Sequence, residues 1–150
     1  MKRERTPFIK RHHLSLGADY ALRLVRLFTD VFDGDIVLAM VFVAASQANT
    51  QHLRRRADYV DHMDGPLFPD ELRRAVSVSS LARSLGLSIE TTRRYVIKLC
   101  DRGFAVRSDG GGVLVTTDVL NRDEIRAAAW ANAANMELLI SELARTPRDR

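Results

Sequence analysis

Between Val76 and Thr117 two short amphipathic segments are pinned by glycines, and this spacing constrains the fold more than any other stretch of the chain. Counted from Val78, the fourth residue, Leu81, is apolar, and the fifth, Ala82, is small enough to let two helices approach. The eighth and tenth, Leu85 and Leu87, are apolar and bracket Gly86, which can take the positive φ of a tight turn. Thr92 and Tyr95, at positions 15 and 18 where aliphatic residues are usual, face back toward the first segment. Ser79 and Ser88 stand where a hydroxyl caps a helix, and Gly103 stands where a glycine ends one. The pattern predicts one helix from Ser79 to the Gly86 corner and a second from Ile89 to about Arg102.

Two helices around a glycine corner make a helix-turn-helix. The next residues extend it. Phe104–Ser108 reads as a short strand, Asp109-Gly110-Gly111-Gly112 as a turn, and Val113–Thr116 as the return strand. An extended Val76-Ser77-Val78 is placed to pair with this hairpin. The expected fold is mainly α with a small β-hairpin wing: a winged helix-turn-helix flanked by N-terminal and C-terminal helices.

The flanks divide as follows. Residues 1–17 form a basic N-terminal arm, with Lys2, Arg3, Arg5, Lys10 and Arg11 against Glu4. It reads either as a frayed terminus or as an arm along a phosphate backbone. Residues 18–64 are a helical segment. A helix over 18–32 carries Ala21, Val25, Phe28 and Phe32 as its apolar stripe, widened by Leu22, Leu24 and Val31. Gly34 suits a left-handed position and Asp35 can cap a second helix from Ile36 to about Leu53. The run Ile36–Ala45 is apolar on every side, which implies burial all round, in the core or against a partner subunit. Arg54-Arg55-Arg56 closes that helix, where positive charge is favourable in itself. Residues 57–75 read as a loop with one short helix, and residues 65–117 hold the winged helix-turn-helix. Residues 118–150 form the C-terminal segment, with a helix over 121–145. There Ile125, Ala129, Asn132, Met136, Leu139 and Leu143 make a seam for packing on the chain itself or on a second copy. A polar Asn in such a seam fixes register, which favours pairing.

Composition narrows the function classes. A 46% hydrophobic and 28% charged chain of 150 residues is one ordinary globular domain. One cysteine excludes a disulfide framework and a multi-cysteine zinc site. The longest apolar run is too short to cross a bilayer, and no signal-peptide apolar region develops near the N-terminus, so the expected location is the cytoplasm, at the nucleoid. No Walker loop or dinucleotide fingerprint is present, so no enzyme activity and no cofactor is expected. His52, Asp58, Asp61, His62 and Asp64 cluster without any metal-site spacing and read as a solvated loop, so no metal is expected. Cys100 reads as a small buried packer rather than a redox switch, and Trp130 as a packing or dimer contact.

The net charge of +4 and pI of about 9.7 permit a nucleic-acid partner. The surplus is concentrated from Val76 to Ser108, where Arg83, Arg93, Arg94, Lys98, Arg102 and Arg107 face only Glu90 and Asp101. On a helical wheel of the second helix, Thr92, Val96 and Leu99, with Tyr95 and Ile89 less centrally, form the inward face. Glu90, Arg94, Ile97 and Lys98 face outward, with Thr91 and Arg93 at the edges.

The stretch Ser79-Ser80-Leu81-Ala82-Arg83-Ser84-Leu85-Gly86-Leu87-Ser88, then Thr91 through Leu99, then Arg102-Gly103-Phe104, resembles the winged helix-turn-helix of bacterial transcriptional regulators, in the style of MarR-like and IclR-like proteins. The resemblance covers Val76 to Thr117. The wing order Arg107-Ser108-Asp109 departs from the Asp-x-Arg order frequent in MarR-like wings. The resemblance implies sequence-specific binding to double-stranded DNA, with helix 88–102 in the major groove and wing 104–116 on the backbone or minor groove. Arg94 is then the base reader, since a guanidinium can bond both acceptors of a guanine, and Glu90 can accept from cytosine. Ser79, Ser80, Ser88, Thr91, Arg93, Lys98 and Arg107 are the expected DNA-contacting residues beside them, Thr91, Lys98, Ser79 and Ser80 on phosphates. A homodimer is expected, and a cleft between the helices and the winged segment leaves room for a small-molecule effector. The alternative is a winged-helix adaptor for another protein, without base readout.

Overall fold

The computed structural model describes residues 11–56 and 67–145. It is mainly helical with one small two-stranded antiparallel sheet. Helix α1 (Arg11–Val31) leads through a tight turn to α2 (Ile36–Thr50), which runs on as a 3-10 turn over Gln51–Arg55. A further 3-10 turn, Asp70–Leu72, precedes α3 (Val78–Leu85) and α4 (Ile89–Asp101). Strands β1 (Val106–Arg107) and β2 (Val113–Leu114) form the hairpin, and α5 (Thr117–Leu120) and α6 (Asp123–Arg145) end the described chain. Among the described residues no helix is long and apolar enough to cross a membrane.

The core lies where α2 meets α3, α4 and β2. Leu38, Val41, Phe42 and Ala45 of α2 pack with Leu81, Val96, Leu99, Val113 and Val115, all buried. Phe32, Phe42 and Phe104 form an aromatic cluster with ring centroids 4.7, 5.2 and 6.1 Å apart in tilted and edge-on pairs, the arrangement their quadrupoles favour. Phe104 is capped from outside by the Arg102 and Arg122 guanidiniums, 5.4 and 5.3 Å from its centroid.

One polar side chain sits among these apolar ones. Asn49 is fully buried in the last turn of α2. Its Nδ2 donates to the carbonyls of Arg74 and Val113 at 2.8 and 2.9 Å, and its Oδ1 accepts from the Val115 N–H at 2.9 Å. Its own carbonyl accepts from the Arg74 N–H at 2.9 Å. The helix thereby holds both β2 and the segment before α3. That segment pairs with β2 as expected, Val76 exchanging bonds of 3.0 and 2.8 Å with Val113. Their approach leaves no room for a side chain at Gly112, where a Cβ would lie 2.8 Å from the Ala75 Cβ. Nearby, buried Arg73 donates to the Phe68 and Val115 carbonyls, and Asp70 accepts from the Thr117 N–H, so the loop before α3 is tied to the start of α5.

Several expectations need correction. The first helix begins at Arg11, not at 18, so the part of the 1–17 arm within the described residues is helical; residues 1–10 lie outside them. Its inner face is set by packing against α6 and runs through Leu16, Tyr20, Leu24, Leu27, Phe28 and Val31, while Ala21 and Leu22 are exposed. The apolar start of α2 is not buried all round: Ile36 and Met40 remain exposed because its neighbours pack on the other faces. Ser77, not Ser79, caps α3, its Oγ accepting from the Ser80 N–H at 3.2 Å. Ser77 still has extended backbone, with φ −73° and ψ 150°, so the helix starts at Val78 and the hydroxyl directly before it is the one in place to cap. Ile89 is half exposed rather than inward, since it opens α4 at the edge of the groove between that helix, the start of α3 and the hairpin tip. The strands are two residues each, and Phe104 and Ala105 reach the core from the loop before β1. The helix predicted over 121–145 is present and starts two residues later, at Asp123, because Asn121 ends α5. Asp58, Asp61, His62 and Asp64 lie outside the described residues.

At the α1–α2 turn, Asp33 and Gly34 both take positive φ, 55° and 83°, and Asp35 caps α2 by accepting from the Leu38 N–H at 3.0 Å. Asp35 also holds the Lys98 ammonium at 2.6 Å. Burial works to raise its pKa, but the Lys98 hydrogen bond and charge and the Leu38 and Val37 N–H groups outweigh it and hold the carboxyl below its usual value.

Two outcomes follow from these contacts. Asn49→Leu strands the Val115 N–H and weakens the hold on β2, so it costs about 3 kcal/mol or more, read as a lower urea midpoint. Asp35→Ala removes a cap and costs about 1 kcal/mol at neutral pH. A lowered folded pKa stabilises above the unfolded value and is lost as pH falls through the folded one. The urea midpoints of wild type and Asp35→Ala are therefore well separated from pH 7 down to about 4 and converge below it.

Candidate nucleic-acid interface

The α3–α4 corner is built as its sequence dictates. Gly86 ends α3 with φ 67°, and its N–H bonds the Ala82 carbonyl. Ser88 starts α4 in extended backbone, its Oγ accepting from the Thr91 N–H at 3.0 Å and donating to Thr91 Oγ1 at 2.8 Å. Thr92 is fully buried against the corner, and its hydroxyl donates to the Ser88 carbonyl. Val96 and Leu99 follow on the same buried face. The opposite face of α4 is therefore fixed: Glu90, Arg93, Arg94, Ile97 and Lys98 all point to solvent.

Charge pairing then separates the exposed cations. Arg93 is paired with Glu90 one turn back at 2.5 Å, in a solvent-exposed contact that costs little to open. Lys98 is held by Asp35 and Arg102 by Asp33, at 2.6 and 2.7 Å. Arg107 donates to the Gly111 carbonyl across the hairpin turn at 2.8 Å. Arg94 has no hydrogen bond or ion pair among the described residues, so its fork of donors is free to bind an acceptor. Beside it Tyr95 and Lys98 complete a shallow hollow of about 240 Å³.

The start of α4, the start of α3 and the hairpin tip enclose a wider groove of about 590 Å³. It gathers Ser79, Ile89, Arg93 and Arg107 with the backbone of Gly110–Gly112. Ser108 shapes the tip: its N–H bonds the Gly112 carbonyl, and its Oγ accepts from the Gly112 N–H. The expected site residues are thus distributed rather than gathered in one place. Ser79, Arg93 and Arg107 line this groove, Arg94 and Lys98 line the outer hollow, and Ser80 turns to the far side of α3. Ser88 and Thr91 are engaged with each other at the cap. Such a surface suits a long polyanion with donors at several points better than a small enclosed ligand.

Other features have limited chemistry. Cys100 is half-buried, and burial, with a smaller push from Asp101 against the pull of Arg107, raises its thiol pKa, opposite to what a reactive thiolate needs. Among the described residues no group of His, Cys, Asp or Glu could hold a metal ion. An apolar hollow of about 640 Å³ lies between Leu67, α5 and the first turns of α6, with Trp130 and Arg126 on its rim. The sequence reading missed Ser77, although a serine directly before the first apolar helical residue, Val78, is the usual cap signal. It also missed Arg74, which carries no local signal because only the fold brings it beside Arg54 and Arg55.

Neither a protein-family model, nor a curated protein, nor a solved structure matches this chain.

Proposed function

We propose that the chain binds double-stranded DNA sequence-specifically and regulates transcription, as a winged helix-turn-helix. Helix α4 enters the major groove and the β1–β2 hairpin lies as a wing on the backbone or minor groove. The observation that carries this reading is the free Arg94 on the exposed face of α4, beside Arg93, which lines a groove running to Arg107 of the hairpin. Its guanidinium reads guanine. Arg93, Arg107 and the serines at the α3 start position the backbone, which orients the protein without specifying sequence.

The same reading uses two copies. Helices α1 and α6 pack as a pair, with Tyr20 Oη donating to Asn132 Oδ1 at 3.2 Å. Asn132, Ile125 and Leu139 of the predicted seam turn toward α1, whereas Ala129, Met136 and Leu143 stay exposed. With Ala133 and Ile140 the exposed ones form an apolar stripe spaced four, three, four and three residues, suited to a second copy. A dimer presents two α4 helices to half-sites about one helical turn, or a multiple of it, apart.

A second reading, contact with another protein, draws on the exposed Ile89, Ile97 and Val106 around the same surface. Selection of bound duplexes from a random pool, followed by anisotropy titration, separates the two. Arg94→Ala is expected to lose about 1–3 kcal/mol on the selected duplex and little on scrambled DNA. No selected sequence, or no effect of Arg94→Ala, favours the protein partner. Sedimentation of the wild type is expected to show a dimer, and Ile140→Asp a monomer with unchanged helicity by circular dichroism. A monomeric wild type rejects the paired arrangement.

A further inference from the structure

A cavity of about 660 Å³ opens on the other side of α3, between the Gln51–Arg55 turn, the Arg74–Ser77 segment and the first two turns of α3. Its walls bring together Arg54, Arg55 and Arg74 with His52, Ser77 and Ser80, and among the described residues no Asp or Glu lines it. The three arginines come from two stretches of chain about twenty residues apart, joined only by the fold. Asn49 fixes the Arg74 backbone through two hydrogen bonds. Arg54 is steadied by the neutral Gln47 at 2.7 Å, which orients its guanidinium without cancelling its charge. Arg55 and Arg74 have no side-chain partner among the described residues. Three cations lining one hollow repel one another, and among the described residues no carboxylate pairs with them, an arrangement that an anion stabilises.

We propose that this hollow is a second phosphate-binding site, and that it holds the sugar–phosphate backbone of the duplex flanking the segment read by α4. The inference rests on the duplex-binding reading above. It is supported by continuity: the hollow shares Ala75 and Ser77 with the groove lined by Arg93 and Arg107, so one basic path runs from the hairpin tip past the start of α3 to Arg54. Guanidiniums and hydroxyls are the donors that phosphate oxygens take, and the start of α3 adds a favourable dipole. The site contributes affinity and register but no base preference.

The test is the salt dependence of binding, measured by anisotropy on the selected duplex, on scrambled duplex, and on the selected duplex with its flanks trimmed. Each arginine that neutralises a phosphate contributes about 0.9 to the slope of log K against log salt. The double variant Arg55→Gln/Arg74→Gln is expected to reduce that slope by about two on both full-length duplexes, with the preference between them unchanged. On the trimmed duplex it is expected to match the wild type. Arg55→Gln alone, at an exposed position, is expected to reduce the slope by about one and serves if the double variant does not fold. Arg55→Lys/Arg74→Lys is expected to restore the slope. An unchanged slope in the Gln variants, with wild type still preferring its selected duplex, overturns this site and leaves base readout by Arg94 standing. A reduced slope with no sequence preference in the wild type upholds the phosphate site and rejects base readout. Failure of the wild type to bind any duplex overturns both.

Discussion

The side-chain amide of Asn49 is the contact on which the arrangement of this molecule depends. It is buried where α2, β2 and the segment before α3 converge, and it meets three backbone groups there. A two-residue hairpin has too few ladder bonds to be stable alone. The amide extends the single Val76–Val113 pair by the bond to Val115 that a longer neighbouring strand would have supplied, and it does so from a helix end already fixed by Leu38, Val41, Phe42 and Ala45 in the core. The position of the hairpin and the path of Arg73–Ser77 into α3 are referred to that side chain, while α4 is set by its own packing on α2 and α3. A leucine in its place fits the apolar surroundings but leaves buried backbone groups unpaired, which is the costlier defect.

The second organising effect is the way carboxylates are used. Asp33 and Asp35, in the turn between α1 and α2, reach across to Arg102 and Lys98. They secure the end of α4 to the core and at the same time occupy two of its cations. Such exposed pairs contribute little stability. Their consequence is for the surface that remains: among the described residues, positive charge without a carboxylate partner includes Arg83, Arg94 and Arg107, and Arg54, Arg55 and Arg74 around the start of α3. The charge surplus seen in the sequence is spread over six residues of the 76–108 stretch. The surplus available to a partner is differently placed.

The α1–α6 pair shows the same division. The α6 seam is apolar enough to be read as one face, yet α1 covers only the side carrying Ile125, Asn132 and Leu139. Tyr20 and Asn132 give the pair a polar contact that fixes register, and the flank with Met136 and Ile140 stays open.

The glycine corner, the cap at Ser88, the buried face of α4 and the pairing of Val76 with the hairpin were legible in the residues themselves, because local geometry and helical periodicity decide them. Periodicity failed where an element is apolar on several faces. Ile36, Met40, Ala21 and Leu22 were assigned inward because nothing in a periodic pattern says how many neighbours an element has. The identity of the exposed outer face of α4 was fixed by sequence alone, since residues opposite Thr92, Val96 and Leu99 can only face away. Which of its cations are free, and that Arg74 lies beside Arg54 and Arg55, was decided by the tertiary structure. Ion pairs and clusters between residues far apart in sequence depend on the distances that packing sets, and no local rule contains those distances.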